Sequence, residues 1–103
     1  MDIRIVCRNI ESVRRYCEIE EREMARLCAC TDNVYRNIQN ERFPRGESED
    51  VVLYCFCSHF NLHLLDLFSP LNEVHYITAQ KAHLGISDIL IFKKTCPDPC
   101  DEM

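Results

Sequence analysis

From Ile10 to Ile38 one pattern runs without a break: Ile10, Val13, Cys17, Glu20, Met24, Leu27, Thr31, Val34 and Ile38 follow one another at alternating steps of three and four. An α-helix turns once in about 3.6 residues, so these positions share one face. The stripe is mostly apolar and must be buried against something. Glu11 stands four before Arg15, and Glu18 four before Arg22, in the order that favours salt bridges along a helix. No glycine or proline interrupts the run. "CTDN", residues 30–33, offers Thr31 or Asp32 as an N-cap, so the stripe reads as one amphipathic helix or two. The 10–38 stripe is also a candidate homodimer seam, although Glu20 and Thr31 within it favour packing on the chain's own sheet over a long coiled coil.

The flanking segments read differently. "DIRIVCRN" alternates apolar and polar residues and predicts a short N-terminal strand, with Ile3 and Ile5 on one side. Residues 41–50, "ERFPRGESED", hold Pro44 and Gly46 and predict a flexible loop. "VVLYCFC" is rich in β-branched and aromatic residues and predicts a strand, followed by a short helix capped by Ser58 that buries Phe60, Leu64 and Leu67 and stops at Ser69-Pro70. "EVHYIT" and "DILIFKK" predict two further strands, and residues 96–103 form a proline-rich acidic tail. The expected architecture is one α+β domain over residues 1–103, with a mostly antiparallel sheet following the helical half.

Eight cysteines in 103 residues are the most unusual feature of the composition. Such density arises in oxidised secreted scaffolds, or from metal ligation where thiols stay reduced. The N-terminus carries no apolar run of signal-peptide length, no segment approaches a membrane span, and Asn-x-Ser/Thr is absent. With Met1 as the native start, the expectation is a cytoplasmic or nuclear protein with reduced or zinc-bound cysteines; a disulfide-rich secreted binding module is the alternative.

The candidate ligands cluster as Cys28 and Cys30, then Cys55, Cys57, His59 and His63, with Cys96 and Cys100 as a second site. Zinc takes four nitrogen or sulfur ligands tetrahedrally, commonly from two close pairs. On a strand Cys55 and Cys57 share a face, and on a helix beginning after Ser58 so do His59 and His63. The strand's thiols and the helix's imidazoles would then meet at the junction. Cys28 and Cys30 could equally join the histidines, or the four cysteines could form the site. Zinc contributes about 10–16 kcal/mol to small metal-dependent folds, as much as the roughly 5–15 kcal/mol that holds a domain together. As ordinary residues, cysteines are also small buried apolar groups, and His75 and His83 read as plain surface or core histidines.

A formal charge of −5, from 17 acids and 12 bases, does not suit a dedicated phosphate-backbone binder. The candidate RNA contacts are Arg8, Arg15, Arg22 and Arg26, which share their segment with Glu11, Glu18, Glu20, Glu21 and Glu23 and so read equally as a salt-bridged face. With only two glycines no phosphate cradle or dinucleotide fingerprint can form, and no nucleophile elbow is present. The expectation is a protein without enzymatic activity.

Through "CAC", "CFCSHFNLH" and "CPDPC" the chain resembles, in general character, the small cysteine-rich zinc-binding accessory proteins of RNA viruses, of the plant-virus silencing-suppressor type. That resemblance implies a regulatory protein that suppresses host defence by binding a protein partner, or RNA, and transfers no residue roles. The usual Cys-x2-Cys knuckles of such proteins are missing here. The expected function is that of a zinc-binding regulatory or interaction protein.

Overall fold

The structure is a computed structural model that describes residues 2–85. Every regular element among them is helical: α1 (Ile3–Tyr16), α2 (Glu21–Leu27), α3 (Asp32–Gln39), α4 (Glu47–Phe60), a short 3-10 helix (Leu64–Phe68) and α5 (Glu73–Leu84). The expected α+β fold with an antiparallel sheet is therefore incorrect for these residues. The "DILIFKK" strand and the 96–103 tail lie outside the described residues.

Three segments expected as strands are helices, each for an identifiable reason. Asp2 caps α1 by accepting the Arg4 backbone N–H at 3.0 Å, and Val6, Ile10 and Val13 then fall on one buried face. In α4 the local β-preference of "VVLYCFC" is overridden: Val52, Phe56 and Phe60 recur every four residues and are all buried. Glu47, Glu49 and Asp50 place negative charge against the positive end of the α4 dipole, so the expected 41–50 loop gives up its last four residues to the helix. Ser58 is inside α4 and caps nothing. In α5 Asn72 accepts the His75 N–H at 3.1 Å, and Gly85 closes the helix in a left-handed conformation.

The 10–38 stripe is real but is cut into three helices. α1, α2 and α3 each end in the same device, a left-handed residue one past the cap: Glu18, Ala29 and Glu41, all with φ near 60°. At each end the next N–H reaches back five residues, Ile19 to Arg14, Cys30 to Ala25 and Arg42 to Asn37, over 2.8–3.0 Å. Thr31 caps α3 by accepting the Val34 N–H at 3.1 Å, as expected. Folding the stripe back on itself puts Ile10, Val13, Met24 and Ile38 in one core with Tyr35, Phe56, Phe60 and Leu67. Those side chains of the stripe are buried in the chain's own core.

Polar bonds fix how the pieces pack. Asn9, buried on α1, donates both amide hydrogens, to the carbonyls of Leu67 and Ser69 at 2.9 Å each, tying α1 to the 3-10 helix. Tyr76 stacks on Tyr16 with ring centroids 5.2 Å apart and donates to Ser12 at 3.0 Å, tying α5 to α1.

Candidate functional site

The change from strand to helix rearranges every candidate ligand. Cys55 and Cys57 now sit two apart on a helix, about 200° around its axis, and no longer share a face. His59 lies in the last turn of α4, but the helix stops at Phe60 because Asn61 turns left-handed with φ 56°. His63 falls beyond that turn, exposed, as the cap of the 3-10 helix. The strand-and-helix clip is thus not formed as drawn from the sequence. "CAC" is the end of α2: Cys28 is its cap, Ala29 its left-handed residue, and the Cys30 N–H closes the turn. Cys96 and Cys100 lie outside the described residues.

Cys28 is fully buried, and burial is the main reason its thiol stands far above the ordinary value; Cys30, Cys55 and Cys57 around it add to the rise. Burial likewise lifts Cys30 and Cys57 to about 11. The fold thus brings the end of α2 and α4 together at the four cysteines named from the sequence, beside an apolar core. Among the described residues, no group of three or more Cys, His, Asp or Glu side chains is arranged to hold a metal ion.

The two histidines that do meet were not paired from the sequence. His59 Nε2 and His83 Nδ1 lie 3.0 Å apart, each in the last turn of its own helix. Phe60, fully buried, touches both rings: edge-on to His59 at 4.8 Å between centroids and stacked on His83 at 6.0 Å. Partial burial holds His59 below the ordinary imidazole range, and His83 beside it pushes the same way; Glu23 opposes them, and Arg26 adds a smaller downward push. Nothing in linear spacing links positions 59 and 83.

All four arginines named as RNA contacts carry a carboxylate partner: Arg8 with Glu41 at 2.8 Å, Arg15 with Glu11 at 3.1 Å, Arg22 with Asp32 at 3.9 Å, and Arg26 with Glu23. Their positive charge is matched locally, which is the salt-bridged face and not a basic patch. The Glu18–Arg22 pair expected from the spacing is not formed, because Glu18 lies in the turn between α1 and α2.

Several large apolar side chains are exposed, Tyr54 and Leu65 most of all, and three of them fall on α5. Val74, Ile77 and Leu84 of α5 are 69%, 38% and 60% exposed, on the side away from the fully buried Ala79. The steps of three and seven place them in one row along the helix. This row was hidden by reading "EVHYIT" as a strand; the i, i+3, i+10 spacing was its available signal. No described helix is long and apolar enough to cross a membrane.

Comparison with known proteins found no family model that matches this chain, and no curated protein or solved structure similar to it.

Proposed function

We propose that this chain is a non-catalytic, regulatory protein-binding module whose docking element is the outward face of α5. The observation that carries the reading is the row of Val74, Ile77 and Leu84. A helix that served only to cover the core would present polar residues opposite Ala79. α5 presents three large apolar side chains there, with Lys81 among them, anchors suited to an apolar groove on a partner protein. Fully burying one such side chain is worth roughly 1.5–3 kcal/mol. α5 is held for that task by Tyr76 on α1, by packing on α4, and by caps at both ends. The carboxylate pairing of Arg8, Arg15, Arg22 and Arg26 favours a protein partner over RNA. "CAC" and "CFCSHF" are here a helix end and a helix interior, so the reading rests on the α5 face and not on the viral resemblance.

A photo-crosslinking residue in place of Ile77 tests this, with one in place of the exposed Ser48 as control. The expected result is a protein captured from 77 and not from 48. Excess unlabelled chain should compete it away, and a Val74→Glu, Leu84→Glu chain should not. The purified partner should then bind the unmodified chain directly. Absence of any saturable cross-link from 77 overturns the reading, and specific capture of RNA instead replaces it.

A further inference from the structure

We infer that His59 and His83 form a binding site for a divalent transition ion of the zinc type, joining the ends of α4 and α5. The inference is independent of the docking face. Two imidazole nitrogens about 2.0–2.1 Å from a tetrahedral zinc lie about 3.3 Å from each other. His59 Nε2 and His83 Nδ1 are 3.0 Å apart, so opening the pair by a few tenths of an ångström, with each ring turning its facing lone pair off the line between them, admits the ion.

Three features prepare the pair. Phe60 packs on both rings from the core side and limits their freedom, so less rotamer entropy is lost on binding. The negative ends of two helix dipoles converge where the ion would sit. Glu23 of α2 lies within electrostatic reach of both rings and opposes the Arg26 charge that it binds. Without metal, one ring donates N–H to the other's lone pair. With metal, the donor ring moves that proton to its far nitrogen, so both facing nitrogens ligate and no net proton is lost. Two imidazoles leave the remaining coordination positions to water, which makes a site of modest affinity, suited to a regulatory ion more than to one that holds the fold together.

The test is a zinc titration of the reduced full-length chain, read by the ring nitrogen resonances of labelled histidine. Resonances of His59 and His83 should shift together in the first equivalent, while those of His63 and His75 stay in place. His83→Gln should abolish the His59 response and weaken binding by at least about tenfold, the size of loss seen when even outer partners of metal ligands are removed. Zinc uptake that leaves the His59 and His83 resonances in place overturns the inference, as does an absence of uptake. The titration of the unmodified chain decides the matter even if the variant folds poorly.

Discussion

The Tyr35 hydroxyl on α3 donates to the Glu11 carboxylate on α1 over 2.8 Å, although 24 positions separate them in the chain. Around the same carboxylate stand Arg14 at 2.5 Å, Arg15 at 3.1 Å and Gln39 at 3.4 Å. Arg14 also donates to the Ile19 carbonyl at 2.8 Å, which reaches into the turn after α1. One acid thus organises the corner where the long stripe folds back on itself.

Burial by itself would raise the Glu11 pKa, but the hydrogen bonds from Arg14, Tyr35 and Arg15 outweigh it and bring it from 4.5 down to about 2. A carboxylate with a lowered folded pKa stabilises the fold fully above its unfolded pKa, and that contribution fades as pH falls toward the folded value. The size implied is on the order of 3 kcal/mol. Urea unfolding followed from pH 6 to pH 2 should therefore show stability falling below about pH 4.5. Glu11→Gln should be less stable at pH 6 and should lose that part of the slope. An unchanged slope in the variant would rule out Glu11 as its source.

Asn9→Leu should cost stability despite the gain in apolar volume. It removes both donors that satisfy the Leu67 and Ser69 carbonyls. Leaving such groups unpaired costs about 1–3 kcal/mol. For a chain of this size each kcal/mol lowers Tm by about 4–8 °C. A thermal midpoint equal to that of the unmodified protein would contradict this account.

Ala29, exposed with φ 58°, occupies a conformation in which glycine carries no steric penalty. Ala29→Gly should raise stability by roughly 0.5–1 kcal/mol, the side-chain strain relieved exceeding the added freedom of the unfolded chain. Ala29→Val should lower it, since a β-branched residue fits that region worst. Urea midpoints at equal m-value give the ranking, and Val at or above Gly would refute it.

Thiol chemistry should follow burial. Cys28 and Cys7 are 0% and 1% exposed, and burial, with Glu41 adding to it, lifts Cys7 to about 11. Iodoacetamide at neutral pH should label these two far more slowly than half-buried Cys55, and denaturant should abolish the difference. Peptide mass spectrometry over a time course measures this directly. Equal rates in the native protein would mean that the α2–α4 contact opens freely.

What the sequence determined by itself was local. The 10–38 stripe, the Thr31 cap, the Glu11–Arg15 pair and the stop at Ser69-Pro70 all follow from interactions within a few residues, and each is present. The stripe did not reveal where its helices end, because Glu18, Ala29 and Glu41 hold positions where glycine is the usual sign. Strand preference at "VVLYCFC" and "EVHYIT" was a true local bias. It lost because helical burial of Val52, Phe56, Phe60 and Ala79 in the shared core is worth more than the bias, and only the assembled core supplies that burial. The same holds for function. His59 meets His83, and Val74, Ile77 and Leu84 are exposed among the described residues, because of how α5 packs on α4 and α1, a relationship between distant segments.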